Sequence, residues 1–181
     1  MITEQELREG IKKFASEISS EPLGEVYHQP ENGASPFWCF QNVLIKVKKD
    51  GGGILCGWTF GHRFNPEYGD YLVATHHAVW CSADQILDIT PFTADKNHHP
   101  LGRKNYVIFL ADQLAEPVQL GDLIAPLPLK FLALSDNYKL IEYVKQKTQE
   151  EHKICQEIYE GKFSPHQITG RLYKGEFYIE K

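Results

Sequence analysis

The chain has 181 residues, 42% of them hydrophobic and 24% charged, with a formal net charge of -5. That composition supports a single domain with a substantial core; the acidic balance and scattered basic residues exclude general nucleic-acid binding. No apolar run is long enough to span a bilayer, the first residues lack the pattern of a signal peptide, and the four cysteines, Cys39, Cys56, Cys81 and Cys155, form no CxxC, so the expected setting is the cytoplasm with reduced thiols. Thr3–Ser19 reads as an amphipathic helix, with Thr3 and Glu6 as a capping box and Leu7, Ile11, Phe14 and Ile18 as its apolar stripe. Glu21–Ser35, punctuated by Pro22, Gly24, Pro30 and Gly33, reads as a polar connection. A second helix is expected over Pro36–Lys49, with Ser35 as cap, Pro36 at the first helical position and Phe40, Val43, Leu44 and Val47 facing the core.

Strands are expected at Ile54–Phe60, Tyr71–Trp80, Gln85–Thr90 and Lys104–Leu110, with a polar loop over Thr93–Arg103. Ser135–Tyr159 reads as a long helix capped by Ser135 or Asp136, and Arg171–Ile179 as a last strand with Lys174-Gly175 as a turn or bulge. Helices at both ends of a mainly antiparallel sheet give the class α+β, with residues 1–181 as one domain.

A thiol, an imidazole and a carboxylate stand in chain order at Cys39, His77 and Asp88. These are the parts of a cysteine nucleophile, its base and the group that orients the base. A free thiol is ionised only to a few per cent at neutral pH; a helix N-terminus and a neighbouring imidazolium both favour the anion. Alternation places Val73, Thr75, His77, Val79 and Cys81 on one strand face and His76, Ala78 and Trp80 on the other. A two-residue turn at Ser82-Ala83 sets His77 opposite Asp88; a four-residue loop, Ser82–Gln85, sets Val79 opposite Asp88 and leaves His77 as its diagonal neighbour. Either keeps both on one face, whereas a one-residue slip separates them and makes His76 the rival base. Asn42, three residues after Cys39, shares its helix face and either supports an oxyanion or bonds to a loop. Trp38, Trp58 and Trp80 are candidates for lining an apolar cleft, although such aromatics are more often core. A helical cysteine flanked by Trp38 and Phe40 is itself usually core.

The run Cys39-Phe-Gln-Asn-Val43, then Gly52-Gly53, Gly57-Trp58, His76-His-Ala-Val-Trp80 and Asp88-Ile-Thr-Pro91 resembles a family of small bacterial proteins. Its members share a cysteine helix, a GW strand, an HAVW strand and a D-[VI]-T-P strand, and some carry a SEC-C type zinc motif. Tyr106–Leu110 and Phe131–Asp136 extend the resemblance to about residues 36–145. The cysteine-rich SEC-C tail is missing here, so its zinc does not carry over. More loosely, the layout is similar to transglutaminase-like and papain-like cysteine enzymes, though with a shorter His-to-Asp hairpin. That likeness implies Cys39 as nucleophile, His77 as base and Asp88 as orienting carboxylate, on a nucleophile helix packed against the sheet.

The expected function is therefore a cysteine hydrolase or acyltransferase acting on a peptide or small amide or ester, with no cofactor, nucleic acid or membrane partner and a partly exposed thiol. A non-catalytic peptide- or protein-binding module is the alternative. Metal binding is a third reading, drawn from His62, His76, His77, His98, His99, Cys56 and Cys81. It lacks any HExxH or CxxC spacing, so no metal site is expected.

Overall fold

The computed structural model describes residues 2–95, 99–121 and 123–162. The elements in chain order are α1 (Glu4–Ile18), β1 (Leu23–His28), α2 (Cys39–Asp50), β2 (Gly53–Asn65), β3 (Gly69–Cys81), β4 (Ile86–Asp88), β5 (Tyr106–Ala111), β6 (Val118–Leu120), β7 (Leu123–Ala125), β8 (Lys130–Ala133) and α3 (Tyr138–Tyr159). The class is α+β, a large sheet with three helices, one of them C-terminal. Among the described residues no helix is long and apolar enough to cross a membrane.

The large sheet runs β2-β5-β1-β4-β3-β8, and β2 also pairs with β3. The strands β2, β5, β1, β4 and β3 therefore close into a ring, with β8 attached outside it along β3. Among the described residues every pairing in this sheet is antiparallel except β1 with β4. Closure leaves one sheet face inside, filled by Val26, Val79, Val107 and Phe109 with Leu55, Phe92 and Ala111 packed against them. The other face carries the helices. Ile11, Phe14 and Ala15 of α1 pack on Trp58, Phe60, Leu72, Ala74 and Leu110. Cys39, Phe40 and Val43 of α2 pack on Ala78 and Trp80 of β3 and on Ile89. Alternation along the strands thus sorts the core into an inner and an outer layer.

The ring closes tightly where β2 meets β5. A Cβ built on Gly57 would stand against the Leu110 carbonyl oxygen and the Phe109 ring, and no rigid neighbour there has room to yield. Gly57→Ala is expected to lower the free energy of unfolding by about 2 kcal/mol or more, measured by urea denaturation; an unchanged midpoint would show that β2 and β5 have slack at this point.

The structure differs from the sequence expectations in four places. The segment read as a polar connection contains β1, because Pro22 and Gly24 look like turn residues and only Val26 of the strand is fully buried. Its backbone is instead satisfied on both sides, by β5 and by β4. α2 begins at Cys39, not Pro36, and Ser35 is not its cap: Phe37 has φ 67°, a left-handed conformation that cannot continue a helix. α3 is capped by Asn137, whose side chain accepts from the Lys139 N–H, rather than by Ser135 or Asp136. The short strands β6, β7 and β8 carry no clear alternation and were not expected. The proposed strand at Arg171–Ile179 lies outside the described residues. The α1 capping box of Thr3 and Glu6 is present.

Candidate active site

β3 is the axis of the site. Along one edge Tyr71–Ala74 pair with β8, and Trp80 and Cys81 pair with Leu87 and Ile86 of β4. Thr75–Val79 lie between these two pairings, and the start of α2 packs nearby. Continuing the β3–β4 register sets Val79 opposite Asp88. The connection is the four-residue loop Ser82–Gln85, closed by the Ser82 N–H donating to Gln85 O at 2.9 Å. His77 is thus the diagonal neighbour of Asp88 on the inner face.

The His77 Nε2 lies 2.9 Å from Asp88 Oδ1, with the histidine side chain 12% exposed and the carboxylate 1%. The Cys39 thiol acts on the same imidazole by charge and by hydrogen bonding. With Nε2 on Asp88, Nδ1 is the nitrogen left for the sulfur. Burial alone lowers the His77 pKa, but the charges of Asp88 and Cys39 and hydrogen bonds to both outweigh it, holding His77 well above the ordinary histidine range.

Cys39 is the first residue of α2, next to the N-terminal end of the helix dipole. The preceding residue Trp38 makes no side-chain cap, and Phe37 stores left-handed strain of about 1–2 kcal/mol. Asn42 holds that turn: its Oδ1 accepts from the Ser35 N–H at 3.1 Å, and its Nδ2 donates to Ser35 O at 2.8 Å and to Thr90 Oγ1 at 3.2 Å. Both amide hydrogens are therefore engaged with the loop and Thr90, the second of the two roles open to Asn42 from the sequence. Cys39 is 6% exposed, more buried than the partly exposed thiol expected. Nearby, the Cys56 thiol is pushed up to about 11 by burial, then by the negative charges of Cys39 and Glu116.

His76 points the other way. Its Nε2 donates to Ala115 O at 2.8 Å and its Nδ1 accepts from the Leu127 N–H at 2.9 Å, which engages both ring nitrogens. Only 2% exposed, it is lowered to about 4, mainly by burial. The geometry thus separates the two histidines: one is a neutral anchor for residues 115 and 127, the other faces the thiol and the carboxylate. The linkage has a clear sign. An unfolded His76 binds a proton near pH 6.5 and the folded one does not until about 4, so its contribution is complete above 6.5 and lost as pH falls between those values. His76→Gln is expected to flatten the acid limb of the stability curve by up to about 3 kcal/mol, followed by thermal unfolding across that range; an unaltered slope would assign acid sensitivity to other groups.

Of the three tryptophans, Trp58 donates from Nε1 to Asp112 Oδ2 at 2.9 Å and Trp80 from Nε1 to Gly51 O at 2.9 Å, both rings being buried. Trp38 is half-buried beside Cys39. Of the residues weighed as metal ligands, His62 instead bonds Asp70 at 2.8 Å and His99 bonds Thr93 O at 2.8 Å; His98 lies outside the described residues. Among the described residues no cluster of three or more histidine, cysteine or acidic side chains is placed to hold a metal.

One residue of the site was missed from sequence. His28, at the end of β1, is the register partner of Asp88 and is 12% exposed. Its Nε2 donates to Thr90 O at 2.9 Å and lies 3.9 Å from Asp88 Oδ2. The signal that would have found it is a histidine two residues after the buried Val26, but the strand itself went unrecognised.

Comparison of the chain with protein-family models, curated proteins and solved structures found no match.

Proposed function

We propose that the protein is a cysteine-dependent hydrolase or acyltransferase acting on an amide or ester carbonyl, with a site of the papain-like or transglutaminase-like kind. The observation that carries this reading is the convergence of Cys39, His77 and Asp88, with the thiol at a helix start and the imidazole between thiol and carboxylate. The Cys39 sulfur, as thiolate, attacks the carbonyl carbon. The first-turn N–H of Cys39, which has no intrahelical acceptor, faces the developing oxyanion. His77 gives its Nδ1 proton to the leaving amine or alkoxide, and Asp88 keeps the ring oriented through Nε2. Water or an amine, deprotonated by His77, then attacks the acyl-enzyme and restores the thiolate.

The burial of Cys39 supports a second reading, a non-catalytic module that binds a peptide or protein on the same scaffold. Activated esters and peptide thioester probes, followed by intact-mass analysis, separate the two. The enzyme reading expects a single acyl adduct on wild-type protein, absent from Cys39→Ala. No adduct across a broad ester and peptide panel would favour the binding module.

A further inference from the structure

The Asp88 carboxylate is asymmetric. Oδ1 accepts from His77 Nε2 at 2.9 Å and from the Thr90 N–H at 3.2 Å, whereas Oδ2 is buried with no hydrogen-bond partner among the described residues. A buried carboxylate oxygen without a donor is costly, and a charged one more so. His28 stands on that side. Its Nε2 is 3.9 Å from Oδ2 while donating to Thr90 O at 2.9 Å. Its ring is stacked on Phe92, centroids 3.7 Å apart and planes within 5°, which fixes the direction of the N–H.

The backbone reinforces this placement. His28 is paired with Asp88 in the one parallel contact of the sheet among the described residues. The chain then follows the carboxylate strand, with the Gln29 N–H on Asp88 O at 2.8 Å and the Glu31 N–H on Ile89 O at 3.0 Å. Thr90 is held three ways: its N–H by Asp88, its carbonyl by His28 and its hydroxyl by Asn42. The turn is thus tied to β1 and α2 as well as to Asp88: the His28 N–H is spent on Thr90 O, and the same nitrogen lies 3.9 Å from Asp88 Oδ2.

We infer that His28 is a positioning residue for the site: its Nε2–H, bonded to Thr90 O, holds the Asp88–Thr90 turn, so that Oδ1 stays directed at His77. This rests on the reading of Cys39, His77 and Asp88 as one reactive unit. His28 touches no reacting atom and acts only through Asp88.

Two substitutions separate the donor from the ring. His28→Phe keeps the stack on Phe92 and removes the N–H; His28→Gln places an amide N–H near the position of Nε2 and removes the stack. The readouts are the rate of Cys39 alkylation by iodoacetamide, resolved by peptide mapping, and the proton resonance of His77 Nε2–H. His28→Phe is expected to slow alkylation about fivefold, the worth of one hydrogen bond between neutral groups, and to shift or broaden the His77 resonance. His28→Gln is expected to stay close to wild type in both. Wild-type protein must also show His28 protonated at Nε2 in nitrogen-15 spectra. The inference is overturned if His28→Phe matches wild type, if His28→Gln is as impaired as His28→Phe, or if wild-type His28 carries its proton on Nδ1 alone. None of these measurements needs turnover. A donor-dependent His77 resonance in a protein that never forms an acyl adduct would therefore sink the enzyme reading and leave the role of His28 standing.

Discussion

Asp88→Asn is expected to lower acyl transfer by about a thousandfold or more, with the fold intact. The substitution is nearly isosteric, and the asparagine oxygen can still accept from His77 Nε2 and the Thr90 N–H, the two bonds now made by Oδ1. What disappears is the charge. His77 is held above the ordinary histidine range against the effect of burial, chiefly by the Asp88 carboxylate. Without it the largest contribution raising the His77 pKa is gone, and the imidazolium that favours the thiolate is weakened. A histidine NMR titration checks the cause: the His77 midpoint should fall from its wild-type value. Asp88→Ala is the harsher change, because it also leaves the His77 Nε2 without its acceptor, and should cost about 3 kcal/mol of stability. The linkage runs opposite to that of His76. A raised folded pKa contributes stability that is complete below about pH 6.5 and declines as pH rises through the folded value. An Asp88→Asn variant with wild-type turnover and an unmoved His77 midpoint would remove the carboxylate from the mechanism.

Cys39→Ala is expected to abolish acyl transfer altogether, since Cys39 is the thiol that acts on the His77 imidazole by charge and hydrogen bond. Its effect on stability is less diagnostic than the sequence suggested. A partly exposed nucleophile would lose little on truncation, but Cys39 is packed with Phe40, Val43, Ala78 and Trp80. Removing its sulfur therefore leaves a small cavity, costing about 1–2 kcal/mol in either reading. Turnover and adduct mass, not melting temperature, decide between enzyme and binding module. Residual transfer by Cys39→Ala at more than a trace of the wild-type rate would place the nucleophile elsewhere.

The parts of the site that were legible in the sequence depend on alternation and chain order. His77 and Asp88 could be set on one face because strand side chains alternate, and the choice between a two-residue and a four-residue loop was a matter of register alone. The strands β2 and β3 were also visible, as Ile54–Phe60 and Tyr71–Trp80, although they extend further than their apolar centres and their pairing with each other was not expected. What stayed hidden depends on tertiary context. The turn before α2 reads as Ser-Pro at a helix start, yet the left-handed Phe37 delays the helix to Cys39, and the turn is held by Asn42 from within the helix, itself bonded to Thr90 just beyond β4. β1 is weakly apolar, preceded by Pro22 and carrying Gly24; it is a strand because β4 and β5 both supply partners. With β1 unseen, neither the closed ring nor His28 beside Asp88 could be inferred. Asn42 shows the same limit in miniature: its position on the Cys39 face was plain, but its partners Ser35 and Thr90 were not.

The central claim, that Cys39 is an activated nucleophile paired with His77, is tested most directly by the order in which the cysteines react. Exposure and activation give opposite orders here. Cys39 and Cys155 are buried, at 6% and 4%, while Cys56 and Cys81 are more accessible. Native protein is treated with limiting iodoacetamide at about pH 6, where ordinary thiols are almost wholly protonated, and each site is quantified by peptide mapping. Cys39 is expected to label first, well ahead of the more exposed Cys56 and Cys81, and His77→Ala to slow it about a hundredfold. Labelling that follows exposure, with Cys39 last or unaffected by His77→Ala, would contradict it and leave Cys39 a buried structural cysteine.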